Sequence, residues 1–248
     1  MGGAVGKAGS PQKAWIPETK IETKVVEAMR RRETHGSSIK SFNSIILKFP
    51  KIDESFRKCK ATFEQFDEDS NGSIDKEELR KCFHKLETAF TDEEINDLFE
   101  TCDVNEDMGM KFNEFIVLLC LVYLLKDDPA IPQAKSRIGM PDLEATFETL
   151  VGAFVFLDKN KDGYVSKSEM VQAINESGER SSGRIAMKRF ATRGRYFCLK
   201  KLTGTNLGPQ FTIAEEMDWD RNGMVNFKEF LFAFTNWVGI DDNEDEED

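Results

Sequence analysis

Histidine is almost missing from this chain of 248 residues: His35 and His84 are the only two, and neither stands in a zinc or catalytic-triad context. No stretch has the form of a phosphate-binding glycine loop ahead of a helix with Lys-Ser/Thr, so an enzyme in its own right is not expected. Cysteine is sparse and odd in number, with Cys59, Cys82, Cys102, Cys120 and Cys198 and no C-x-x-C pair. That suggests neither a disulfide framework nor a thiolate zinc cluster, and fits a reducing compartment. Long apolar runs are absent too. The longest, Phe115 to Leu125, has eleven residues, where a membrane-spanning helix needs about 20. A buried helix is expected there. No charged, apolar and small-residue series of a secretory signal opens the chain, and a cytoplasmic location is expected.

Tyrosine is scarce at 3 residues while phenylalanine is abundant at 20, and charged residues make up 32% of the chain. This is the composition of a charge-rich helical protein. The formal net charge is -11, unevenly spread: residues 1 to 50 carry nine Lys or Arg against four Glu, whereas seven of the last eight residues are acidic. So acidic a protein is repelled by nucleic acid, and no nucleic-acid partner is expected.

The pattern D-x-[DN]-x-[DN]-G-x5-E occurs three times, from Asp67, Asp158 and Asp218. Oxygens at positions 1, 3 and 5, a backbone carbonyl at 7, a water-mediated contact at 9 and a bidentate Glu at 12 make an all-oxygen shell for a hard cation such as calcium. The first loop supplies Asp67, Asp69, Asn71, Ser73, Asp75 and Glu78. The third supplies Asp158, Asn160, Asp162, Tyr164, Ser166 and Glu169, and the last Asp218, Asp220, Asn222, Met224, Asn226 and Glu229. Gly at position 6 permits the sharp turn. Position 8 is Ile74, Val165 or Val225, the apolar residue through which paired loops exchange a short β-bridge. Position 9 and the Glu at 12 together read as an N-cap and its N3 partner, so the ligands also start the exiting helix.

Such loops pair, and a fourth follows Asp67 by 36 residues. It offers Asp103, Asn105, Asp107 and Glu114, with Met110 at position 8. Position 6 is Met108, which has to adopt a positive φ at a cost of about 1–2 kcal/mol, and position 9 is Lys111, a cation beside the metal. Gly109 follows, so the turn is open to displacement by one residue. Two readings stand: a weak site, and a calcium-silent structural partner. The entering helix is well announced, with Thr91 as cap, Glu94 reaching back, and Phe90 and Ile95 as a staple.

Between Asp158 and Asp218 the interval is 60 residues, 24 more than in the first pair, and Ala191 to Ala214 is a segment of 24 residues. Joining Phe190 to Glu215 restores a Phe four residues before position 1, as Phe63, Phe99 and Phe154 stand in the other hands. The segment reads as an insertion into the last entering helix. Across Arg180 to Ala214 there are eight basic residues and no acid. Its readings are a splicing or gene-model variant, a partner-binding or autoinhibitory segment of the kind calcium sensors grip, and a loop of no consequence. With the insertion in place, Ala214 takes the Phe position.

The expected fold is all-α: two pairs of helix-loop-helix hands with short β-bridges, preceded by N-terminal helices. The organisation is a basic arm over 1–51, a first pair over 52–126 with its second hand degenerate, a linker over 127–141, a second pair over 142–240 interrupted at 191–214, and an acidic tail over 241–248. Apolar Ile39, Phe42, Ile45, Ile46 and Phe49 suggest that the arm's helices dock on the first pair.

Four such hands without a catalytic motif resemble the calmodulin-like EF-hand calcium-binding proteins, and the arm and the Met-Gly-Gly start look most like their plant members. The resemblance covers about residues 50 to 240. It implies calcium as the cofactor and a calcium-dependent opening of each pair onto a Met- and Phe-lined groove that takes amphipathic helices of target proteins. The altered second loop and the insertion depart from the family pattern. A buffer and a non-catalytic regulatory subunit are the alternatives. The resemblance also implies acylation of Gly2, although Gly6 stands where the motif wants Ser or Thr. Arg30, Arg31 and Arg32 would add a second contact to an anionic membrane surface.

Overall fold

The computed structural model describes residues 17, 19–34, 39–41, 44–45, 47–85, 90–126, 136–176 and 217–238. Along them run α1 (Lys20–Thr34), α2 (Phe49–Phe66), α3 (Lys76–Lys85), α4 (Asp92–Cys102), α5 (Phe112–Leu125), α6 (Pro141–Leu157), α7 (Lys167–Glu176) and α8 (Phe227–Val238). The fold is all-α apart from a two-residue antiparallel pairing of β1 (Val165–Ser166) with β2 (Met224–Val225). The 191–214 insertion, Gly2, most of the linker and the acidic tail lie outside the described residues.

Local chemistry sets the helix boundaries. Pro50 and Pro141 sit in the first turns of α2 and α6, where a missing N–H costs nothing. At α4, Thr91 Oγ1 accepts from Glu94 N at 3.3 Å while Glu94 Oε2 accepts from Thr91 N at 3.0 Å, the reciprocal cap expected from the sequence. Phe90 packs edge-on against Phe83, with ring centroids 5.6 Å apart.

The two pairs repeat one aromatic arrangement. Phe63 of α2 meets the edges of Phe112 and Phe115 at 5.4 and 5.5 Å. Phe154 of α6 meets Phe227 and Phe230 at 5.2 and 5.4 Å. In each pair the Phe before the first loop therefore wedges between residues at equivalent positions of the second exiting helix. Edge-to-face geometry places the positive ring edge on the negative face, which makes these contacts directional as well as apolar.

The apolar run is the buried helix anticipated, and it has no polar face: Phe112 and every residue from Glu114 to Leu124 are buried. A helix buried on all sides needs neighbours on all sides. Helix α5 packs on α2 and α4 of its own pair, on α6 and α8 of the second pair, and on α1. Helices α2 and α6 also touch, and Phe49 meets Phe234 of α8 edge-on at 4.8 Å. One continuous core thus runs from Ile21 to Phe234 through both pairs.

Helix α1 docks on the first pair and on the second as well. It lies against α4 and α5 of the first pair and against α6 of the second. Lys24 Nζ donates to Glu94 at 2.8 Å, and Arg32 Nη1 donates to both oxygens of Glu148, at 3.0 and 2.9 Å. Tyr123 donates to the same Glu148 at 2.8 Å, while the Arg137 guanidinium lies 4.6 Å from the Tyr123 ring centre. Burial, with the Glu148 carboxylate beside it, pushes the Tyr123 hydroxyl up to about 12. Arg32, one of the three arginines read from the sequence as a membrane contact, here pairs with Glu148.

Because Leu118 of α5 is fully buried, Leu118→Ala should cost about 2–5 kcal/mol. If the core is shared, urea unfolding of the calcium-loaded chain remains one transition, shifted as a whole. Two transitions with only one displaced would mean that the pairs fold independently.

Candidate metal centres

The first three loops begin where their entering helices stop. The N–H groups of Asp67, Asp103 and Asp158 donate to the carbonyls of Phe63, Phe99 and Phe154 at 3.0, 2.8 and 2.9 Å, so position 1 is anchored one turn above the aromatic wedge. Position 1 then turns its carboxylate into the loop. Asp67 accepts from Asn71 N and Gly72 N, Asp158 from Lys161 N, Asp162 N and Gly163 N, and Asp218 from Gly223 N, all at 2.7–3.2 Å. Positions 3 and 5 stand side by side, with Asn71 Nδ2 on Asp69 Oδ2 at 2.9 Å and Asn160 Nδ2 on Asp162 Oδ2 at 2.8 Å. In the last loop Asn222 Nδ2 reaches Asp220 Oδ2 at 2.5 Å.

Position 12 closes the loop from its far end. One oxygen of Glu78 accepts from Asp75 N at 2.9 Å and the other from Glu68 N at 2.8 Å. Glu169 makes the same pair of contacts with Ser166 N and Lys159 N, and Glu229 with Asn226 N and Trp219 N. The position 9 side chains of Asp75, Ser166 and Asn226 accept in return from the Glu N–H at 2.8, 3.3 and 2.9 Å, which is the reciprocal cap of the exiting helix. The carbonyls of Ser73, Tyr164 and Met224 belong to position 7, and the next residues pair the loops: Ile74 exchanges two 2.9 Å hydrogen bonds with Met110, and Val165 stands opposite Val225.

These donors fit a divalent cation. Carboxylate oxygens of Asp67, Asp69 and Glu78 lie within 4.8 Å of one another, as do those of Asp218, Asp220 and Glu229. One oxygen of Asp218 is buried without a hydrogen-bond donor, a condition that a bound cation relieves. Burial raises the Asp218 and Glu229 carboxyls above their ordinary range, with Asp220 adding like-charge repulsion. An all-oxygen set of this kind suits calcium.

The second loop keeps the same course without its glycine. Met108 takes φ 67°, beside 84°, 89° and 92° for Gly72, Gly163 and Gly223, and leaves its side chain exposed. The turn is therefore not displaced onto Gly109. That glycine answers a different need, since a Cβ there would stand 2.7 Å from Ser73 Oγ of the paired loop. Position 4 also takes a positive φ in all four loops, at Ser70, Glu106, Lys161 and Arg221. The motif gives no sign of this, because the residue there varies freely.

Asp103, Asn105, Asp107 and Glu114 are drawn together as in the other loops: Asn105 Nδ2 donates to Asp107 at 2.8 Å, and Glu114 accepts from Val104 N and Lys111 N at 3.1 and 2.8 Å. An oxygen of Asp103 is buried without a donor, and burial raises Glu114. Lys111 cannot act as a cap acceptor, and Asn113 Oδ1 takes the Glu114 N–H instead, at 2.9 Å. Lys111 Nζ lies 3.5 Å from Asp107 Oδ2, so the loop carries a cation of its own on one of its ligands. Replacing Lys111 with Asp should remove that competitor and add a carboxylate. We expect native mass spectrometry at saturating calcium to count three ions on the native chain and four on Lys111→Asp. Equal counts would show that Lys111 does not decide occupancy.

Comparison with known proteins agrees with this geometry. The EF-hand domain pair family matches residues 56–119 and 147–235, which is more than half of the chain. The Arabidopsis thaliana "Probable calcium-binding protein CML21" is 64% identical over 98% of this chain and 95% of its own length. A second protein of that plant, "Probable calcium-binding protein CML22", is 40% identical over 92% and 91%. Its calcium-dependent protein kinase 17 is 27% identical over 72% of this chain but only 26% of the kinase, so that likeness is partial. With paired oxygen-lined loops and relatives of this extent, the chain belongs to the EF-hand family, among the calmodulin-like calcium-binding proteins.

Proposed function

We propose that this calcium-binding protein is a sensor, which on loading opens its shared core and offers apolar surface to an amphipathic helix of a target protein. The observation that carries this reading is where the apolar surface lies. Helix α5 and the phenylalanines facing it are buried, as are Met29, Met110, Met170 and Met217. Among the described residues, only Leu47, Met108 and Trp219 are exposed large hydrophobic side chains. Among the described residues a target groove therefore arises by separating elements that now touch, and α8 on α5 and α2 on α6 are the contacts whose parting would expose it. Flexible Met side chains suit such a surface, because they repack around different partners.

The loops are joined mechanically to that core. Met110 and Val225 bridge to the partner loop and are buried, and Phe112 and Phe227 follow two residues later as walls around Phe63 and Phe154. A ligand-driven shift of either exiting helix thus moves the aromatic wedge. Acylation of Gly2, a membrane contact of the basic arm and a cytoplasmic location belong to the same proposal. Among the described residues no helix is long and apolar enough to cross a membrane.

The test uses a fluorescent hydrophobic dye and a synthetic basic amphipathic helical peptide, each titrated with the full chain in chelator and in saturating calcium. We expect calcium to raise dye fluorescence severalfold and to permit a 1:1 peptide complex at micromolar or tighter affinity. Calcium uptake with no gain in either signal would make the protein a buffer. Equal peptide affinity in chelator would indicate a permanently docked subunit.

A further inference from the structure

We propose that α1 is a positioning element for the third calcium loop, with Glu22, Val26 and Arg30 holding the loop backbone so that calcium binding there and seating of α1 reinforce each other. The three residues are spaced four apart and form one stripe along the helix. They meet three consecutive loop residues. Arg30 Nη2 donates to the carbonyl of Asp162 at 3.4 Å. Val26 lies so close to Gly163 that a Cβ on the glycine would stand 2.7 Å and 3.0 Å from its two methyl groups. Tyr164, itself buried, donates its hydroxyl to Glu22 Oε1 at 3.0 Å.

None of these contacts uses a calcium ligand. In the loop pattern Asp162 offers its carboxylate and Tyr164 its main-chain carbonyl, whereas α1 takes the Asp162 carbonyl, the Gly163 Cα and the Tyr164 hydroxyl. The helix therefore grips the back of the loop and leaves its inner face for the ion. Lys161 and Gly163, on and beside this contact, hold φ 62° and 89°. A loop kept in that shape has less freedom to lose when the ion arrives. Linkage then requires that the ion stabilise the seated helix to the same degree.

The fourth loop does not share this grip. Between it and α1 lies a cavity of about 550 Å³, lined by Ile21, Val25, Asp220, Asn222 and Asn226 among others. The ends of α1 are tied elsewhere, through Lys24 to Glu94 of the first pair and through Arg32 to Glu148 of α6. Seating of α1 thus connects occupancy of a loop in the second pair to a contact with the first. Gly163→Ala would be an ambiguous probe, since it strains the loop and displaces the helix together.

The proposal rests on calcium filling the third loop and not on recognition of a target. Hydrogen–deuterium exchange of the full chain, in chelator and in saturating calcium, reads the seating of α1 without reading the ion. We expect amide protection over residues 20–34 to rise at least tenfold with calcium. Glu169→Gln should abolish the rise and cost one ion by native mass spectrometry, while Glu78→Gln should cost one ion and leave the rise intact. In calcium titrations Tyr164→Phe should weaken the third loop about threefold to tenfold without touching the first. Glu22→Gln, which keeps an acceptor for Tyr164, should stay near native affinity where Glu22→Ala does not. Protection indifferent to calcium, a rise that survives Glu169→Gln, or native affinity in Tyr164→Phe would overturn the proposal. An unchanged ion count in Glu169→Gln would overturn it by removing the ion from the third loop, whatever the dye and the peptide report.

Discussion

Helix α5 is costly to expose to water, and most of the architecture answers that constraint. Its side chains from Glu114 to Leu124 are buried without a break, and burying an aliphatic side chain is worth about 1.5–3 kcal/mol. Exposing even one face of such a helix would forfeit several of these contributions. A single EF-hand pair covers only part of a cylinder, here through α2 and α4. The second pair and α1 complete the enclosure, with α8, α6 and α1 each laid on α5. The separate-lobed form of a four-hand protein is unavailable to this sequence while α5 stays covered, and that is why the loops share a core.

The metal-site carboxylates supply the opposing force. Asp67, Asp69 and Glu78 crowd their oxygens together, as do Asp218, Asp220 and Glu229, in a chain whose formal net charge is -11. Backbone N–H groups and Asn amides offset part of the repulsion, and calcium offsets more. Between those clusters and the core stand the position 8 bridges and the Phe wedges, rigid enough to transmit a displacement of the exiting helix. Lys111 shows a second way to neutralise such a cluster. An ammonium 3.5 Å from Asp107 offsets part of the charge within the second loop, while the Ile74–Met110 bridge and the close approach of Gly109 to Ser73 hold that loop against the first.

Much of this was legible in the residues. The loop pattern specifies ligands, helix starts and bridge positions at once, because each residue type has one stereochemical task, and the cap at Thr91 or the wedge at Phe63 follows from spacing alone. The path of α1 was not legible. Its contacts, such as Val26 on Gly163, depend on residues more than a hundred positions away. The positive φ at position 4 escaped notice for a different reason: Ser70, Glu106, Lys161 and Arg221 share no side-chain property. Gly109 reads as a residue onto which the turn could be displaced, since a glycine needed for close approach looks in sequence like one needed for a turn.

The fourth hand shows how these levels of description join. Its loop, from Asp218 to Glu229, keeps the Glu-at-12 hydrogen bonds of the first and third while one Asp218 oxygen is left without a donor, and its exiting helix α8 is among the principal neighbours of α5. Support reaches that loop from three directions within the described residues: the Val165–Val225 pairing, the stacking of Trp219 on Phe232 at 5.2 Å, and burial of Met217 immediately before position 1. An EF-hand whose exiting helix closes a core shared by both pairs is thus held by its partners as well as by its own loop.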